Sequence, residues 1–150
     1  MILLRHMHFL LLPFVLLLTG CSWSVDTDLA ELSVAEFHER YNRGSYDTIY
    51  ANASPDFQSF VKTDKFIHLL EKLHGGLGQY KSSSLINWSA KSTLQQGIII
   101  TLIYNTVYEN DATAKETFSF KVNDGLAQLY NFNVSSAVLA KKKPSRMTDI

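Results

Sequence analysis

The sequence predicts an α+β domain in which helices come first and a curved four-stranded antiparallel meander follows. Two observations carry this. Apolar residues recur with a helical period as far as Gly78 and alternate beyond it. The alternating segments are then divided by short turn signals, and short connections join antiparallel neighbours.

The helical half begins near residue 29. Leu29, Leu32, Phe37 and Tyr41 fall close to one helical face, and Ser33 followed by Glu36 reads as a capping box. Gly44 suits the left-handed residue that ends this helix. Residues 45–51 (SYDTIYA) form a second, short helix, and Ser54-Pro55-Asp56 opens a further turn carrying Phe57, Phe60 and Val61. Thr63 is expected to cap a third helix with an apolar stripe of Phe66, Leu69, Leu70 and Leu73, ending at Gly75-Gly76.

Strands are expected near 79–90, 97–109, 112–122 and 125–137, and Asn123-Asp124-Gly125 is a strong hairpin signal. The third strand alternates cleanly, with Ala114, Glu116, Phe118, Phe120 and Val122 on one face. The fourth is expected to place Leu126, Tyr130, Phe132 and Val134 on the same face. That apolar face needs cover, which only the upstream helices supply. In the second strand Ile100, Leu102 and Tyr104 would face inward and Ile99, Ile103 and Val107 outward, an apolar file suited to a protein partner or a homodimer through the sheet.

Composition narrows the function. The chain is 46% hydrophobic and 12% aromatic, enough for one core, and its 14 basic and 14 acidic residues balance. No field of one sign draws in nucleic acid. A single cysteine, Cys21, excludes an intramolecular disulfide and a cysteine-based zinc cluster.

The leader explains that cysteine. Arg5, His6 and His8 make a basic start, and Phe9 to Leu18 (FLLLPFVLLL) is ten uncharged residues, too short to span a bilayer. Leu18-Thr19-Gly20-Cys21 resembles the lipobox of bacterial lipoproteins. The resemblance implies a signal peptide over 1–20, cleavage before Cys21, and a diacylglycerol on its sulfur with a further acyl group such as palmitate on the new amine. Two or three chains make a stable membrane anchor. Ser22 is not the Asp that resembles an inner-membrane retention signal, so the periplasmic face of the outer membrane is expected. Residues 21–28 would be a tether, 29–139 the domain, and 140–150 a disordered basic tail.

The order of Tyr46-Asp47-Thr48-Ile49-Tyr50, Leu77-Gly78-Gln79-Tyr80 and Ala114-Lys115-Glu116-Thr117-Phe118 resembles small domains of the NTF2-like, or cystatin-like, superfamily. That resemblance implies helices packed on a curved sheet as a cone, and says far more about fold than about activity.

The chain carries few residue patterns that point to chemistry. Phe37-His38-Glu39-Arg40-Tyr41 lacks the second histidine of a zincin. His74-Gly75-Gly76-Leu77-Gly78 follows a helix and precedes a strand, the wrong polarity for a phosphate cradle. His38, His68 and His74 do not share a face and read as surface or boundary residues, so neither a metal nor a cofactor is expected. Glu116 stands out, because a carboxylate on an apolar face is costly unless paired or functional. It is read as a structural residue at the cone mouth, paired with Lys115 or Lys91. The alternative, implied by the NTF2-like resemblance, is a general base in an isomerase or dehydratase. Trp88, Tyr104, Glu116, Phe118, Tyr130 and Phe132 are the candidate lining of a pocket for a small apolar ligand. The expected role is a membrane-anchored, non-catalytic binding module, with a dimerising structural subunit as the other alternative.

Overall fold

The computed structural model describes residues 27–94 and 97–141. The leader, Cys21, nearly all of the tether, and the tail from residue 142 lie outside the described residues. Four helices, α1 (Asp28–Asn42), α2 (Tyr46–Ala51), α3 (Pro55–Phe60) and α4 (Thr63–Leu77), precede strands β1 (Tyr80–Thr93), β2 (Gly97–Tyr108), β3 (Ala114–Asn123) and β4 (Leu126–Ser135). The strands form one antiparallel sheet in the order β1-β2-β3-β4. The period switch at Gly78 is therefore the boundary between the two halves.

The inward stripe of α1 is Ala30, Val34, Phe37, His38 and Tyr41, at helical spacing. Leu32 falls outside it and is largely exposed, and Leu69 on α4 is partly exposed. Ser33 is no cap. The helix already begins at Asp28, and the Ser33 hydroxyl lies 3.0 Å from the carbonyls of both Leu29 and Ala127, joining α1 to β4. Gly44 (φ 71°) ends α1 as expected. Its N–H donates to the Tyr41 carbonyl at 3.0 Å and the Ser45 N–H to that of Arg40 at 2.9 Å, the two bonds of a Schellman turn.

Ser54 caps α3 through the Phe57 N–H, and its own N–H donates to Leu129 on the edge strand β4 at 2.9 Å. Thr63, expected to cap α4, is instead its first residue; Lys62 holds the cap position without a side-chain bond. Nor does α4 stop at Gly75-Gly76. It runs on to Leu77, and Gly76 stays bare because Leu139 of a short C-terminal helix, α5 (Ala137–Lys141), packs against it. α5 occupies the junction where the end of a strand (125–137) and a disordered tail (140–150) are expected.

At the β3–β4 turn Asp124 (φ 49°) and Gly125 (φ 73°) both sit in the left-handed region, as a two-residue type I′ hairpin requires. The inner face of β2 carries Ile100, Leu102, Tyr104, Thr106 and Tyr108, and that of β3 carries Ala114, Glu116, Phe118 and Phe120, all buried beneath the helices. On β4 the alternation breaks. Ser119 pairs with Asn131 and Phe120 with Leu129, so Tyr130 is an extra residue in a bulge. The bulge moves Leu129 and Ala127 inward beside Phe120 and Val122. It leaves Leu126 and Tyr130 off the inner face, where strict alternation had placed them.

Candidate functional site

Glu116 is fully buried, and the expectation of an open mouth is wrong. Its neighbour Lys115 points to the opposite face of the same strand, and Lys91 pairs with Ile99 near the far end of the sheet. The partners of Glu116 come from β2 and α1. Thr106 Oγ1 donates to Oε2 at 2.6 Å, Tyr108 Oη donates to Oε1 at 2.5 Å, and His38 Nε2 lies 2.9 Å from Oε2. Three groups thus converge on one carboxyl in a buried interior, where hydrogen bonds are strong and an unpaired polar group is costly.

His38 is buried too, against the expectation of a surface or boundary residue. Its ring stacks on Tyr80 at 3.7 Å and meets Phe118 edge-on at 5.6 Å. The link from α4 to β1 closes over this assembly. Asn42 clamps both backbone groups of Tyr80, at 3.0 and 2.8 Å, and the Tyr41 hydroxyl donates to the Gly78 carbonyl at 3.1 Å. Burial first, and the adjacent Glu116 carboxylate second, push the Tyr108 hydroxyl far above the ordinary tyrosine range. Burial likewise raises Tyr41, and pushes Tyr104 up to about 12. Among the described residues every buried side-chain N or O has a hydrogen-bond partner.

A carboxyl beside an imidazole is a general acid–base pair by chemistry, but a proton-transfer catalyst must also reach its substrate. Among the described residues an accessible groove lies elsewhere. Its volume is about 320 Å³, and it runs between α1, the end of α2 and the β3–β4 hairpin. Leu29, Phe37, Ile49, Phe120 and Leu129 are among its apolar lining, with Ser33, Arg40, Asn52 and Gln128 among its polar groups. Arg40 is paired with Glu36, also in the lining, at 2.7 Å. Phe37 and Phe120 line the groove, while Phe118, with ring centroids 5.0 and 6.0 Å from theirs, stands behind them toward the Glu116 cluster. An aromatic wall separates groove from carboxyl.

None of the six pocket candidates read from the sequence lines this groove. Tyr104 and Phe118 are buried core, Phe132 packs on Phe37 and Phe118, Tyr130 is in the bulge, and Trp88 is half exposed on edge strand β1. Sequence reasoning also missed His38, Thr106 and Tyr108. The signal was present: His38 lies four residues after Val34 on the inward stripe, and Thr106 and Tyr108 continue the alternation of Ile100, Leu102 and Tyr104.

The other two described histidines lie apart from each other. His74 Nδ1 meets the Tyr46 hydroxyl at 2.6 Å, and His68 lies 3.6 Å from Glu71 at the surface. No three potential ligands gather to hold a metal ion among the described residues. No described helix is long and apolar enough to cross a membrane. Compared with known proteins, the chain matches no family model and no curated sequence.

Proposed function

We propose that this protein is a lipid-anchored binding module of the bacterial envelope, tethered through Cys21 and holding a small apolar or amphipathic molecule in the groove beside α1. The observation that carries the reading is the position of the groove. Leu29 and Leu32 line it in the first turns of α1, within about a dozen residues of the lipobox cysteine. A domain tethered there holds its opening near the membrane, where apolar molecules concentrate. The volume matches the small end of ligand pockets, and the mixture of apolar floor and a few polar groups is what such pockets use.

The NTF2-like enzyme reading, with Glu116 as base, gains no support from the geometry, because the carboxyl is fully buried and its hydrogen bonds are taken by the fold. Dimerisation through the outer sheet face is equally unsupported. Ile99, Ile103 and Val107 form a single file with mostly polar neighbours, not a broad apolar patch.

The test uses a fluorescent fatty acid titrated into detergent-solubilised protein. Leu32 and Leu126 are largely exposed lining residues, so Leu32→Glu and Leu126→Glu leave the core intact. Each should weaken binding about tenfold or more, the scale of losing one apolar contact and adding a charge. Saturable binding that neither variant alters would refute the groove, as would no binding at all.

A further inference from the structure

The outer face of the sheet, the one turned away from the helices, has a charge pattern that the groove does not explain. The four strands contain four lysines, Lys81, Lys91, Lys115 and Lys121, and one acidic residue, Glu116. Glu116 is sealed on the inner face. Register places Lys91, Lys115 and Lys121 on the outer face, and Lys81 is exposed at the extra position between the Tyr80 and Ser82 pairings. Acidic residues gather instead on the helices, at Asp28, Glu31, Glu36, Glu39, Asp47, Asp56, Asp64 and Glu71. Asp56 reaches Lys121 at 2.6 Å and offsets that one charge. Glu109, Asp111 and Asp124 lie in the turns at the rim.

Between the lysines the face carries short hydroxyl and amide side chains on either side of the apolar file of Ile99, Ile103 and Val107. Register sets them in rows across the strands: Ser89, Thr101, Ser119 and Asn131 in one, Asn87, Ile103, Thr117 and Asn133 in the next, then Ser84, Asn105, Lys115 and Ser135. Such positions stand about 4.8 Å apart across strands and about 6.7 Å apart along them. Thr101 and Ser119 bond to each other at 2.9 Å and Ser119 is buried, so the exposed donors and acceptors are the groups around them, among them Ser89, Asn87, Asn105, Asn131 and Asn133. From Lys121 to Lys115 the face extends six residues, about 20 Å. A single small anion cannot reach across that span, whereas a chain can.

We propose that this outer face binds an anionic glycan chain, with Lys91 and Lys115 engaging acidic groups and the exposed Ser and Asn side chains between them bonding to hydroxyls. Charge complementarity selects an anionic partner, and these hydrogen-bonding side chains select one rich in hydroxyls. A single-stranded nucleic acid fits less well, since its bases need a row of aromatic platforms. The site is independent of the groove and of the reading built on it.

The probes are dextran sulfate, neutral dextran and a single-stranded oligonucleotide, each titrated against the full chain in detergent. Wild type should bind dextran sulfate, weaken as salt rises, and ignore neutral dextran. The pair Lys91→Glu with Lys115→Glu should lose about tenfold or more, and the pair Lys91→Gln with Lys115→Gln should lose less. The pair Lys65→Glu with Lys72→Glu makes the same charge change on exposed positions of α4 and should bind as wild type does. Circular dichroism checks that each variant is folded, and the glutamine pair decides the matter if the glutamate pair is not. Equal loss in the α4 pair, no loss in either sheet pair, or oligonucleotide binding as tight as dextran sulfate would overturn the proposal.

Discussion

Replacing Glu116 with Gln tests whether the buried cluster is structural. The amide keeps one acceptor oxygen and places an NH2 group where the other stood. If the oxygen faces Thr106 and His38, the NH2 meets the Tyr108 hydroxyl at 2.5 Å, too close for an N–H···O bond. The phenol proton then loses its acceptor inside a closed interior. If the amide is turned the other way, it confronts Thr106 and His38 with donors instead. Hydrogen bonds to charged groups contribute about 1.5–3 kcal/mol, so Glu116→Gln should destabilise by about 2 kcal/mol. Glu116→Ala orphans all three partners and should cost about 3–5 kcal/mol. Equilibrium urea unfolding of the purified protein reads both as a lower midpoint at unchanged slope. A double-mutant cycle with Tyr108→Phe should give a coupling energy of about 1 kcal/mol or more, since the two groups share one bond. A neutral or stabilising Glu116→Gln would refute the reasoning, because a strained carboxyl held for chemistry gains from losing its charge.

Three further outcomes follow from the same structure. Phe118→Ala, which empties the centre of the aromatic cluster with Phe37, Phe120 and Phe132, should cost about 3–5 kcal/mol in the same unfolding assay. Asp111 accepts from the Ser136 hydroxyl and from Thr113, and these bonds hold its carboxyl below the ordinary value of 3.8. Its contribution is present above that value and is lost as pH falls through the lower, folded one. Ser136 also caps α5, so proteolysis within 137–141 should rise on acidification through that window, and Asp111→Asn should remove the pH dependence. Tyr41, Tyr104 and Tyr108 are raised by burial, so unfolding releases protons above the ordinary tyrosine value of 10.0 and stability should fall as pH rises beyond it. Phenolate absorbance that develops fully before the loss of circular dichroism would contradict this.

Much of the fold was legible because local rules govern it. Strand three kept its alternation, and Asp124-Gly125 made the hairpin. Where reading failed, a tertiary contact had overridden a local signal. Ser33 looked like a cap, but its hydroxyl is spent on Leu29 and Ala127, a pairing that spans 94 residues in the second case. Alternation through strand four failed because a bulge at Tyr130 changes which residues face inward, and no turn chemistry announces it. Glu116 was correctly placed on the inner face, yet its partner His38 is 78 residues away in sequence. A helical stripe marks that histidine as inward, and only the packing of α1 on the sheet brings it to the carboxyl. The groove was illegible for the same reason, being built from α1, α2 and a hairpin that no single segment encodes.

The proposed anchor at Cys21 is tested most directly by the intact mass of protein extracted from membranes with detergent, beside a Cys21→Ser variant. The wild-type chain should begin at residue 21 and carry a diacylglyceryl group with added acyl mass, and the variant should leave the membrane fraction or keep its leader. A soluble, unacylated wild-type protein, or a membrane-bound variant with a cleaved and unmodified N-terminus, would contradict the anchor.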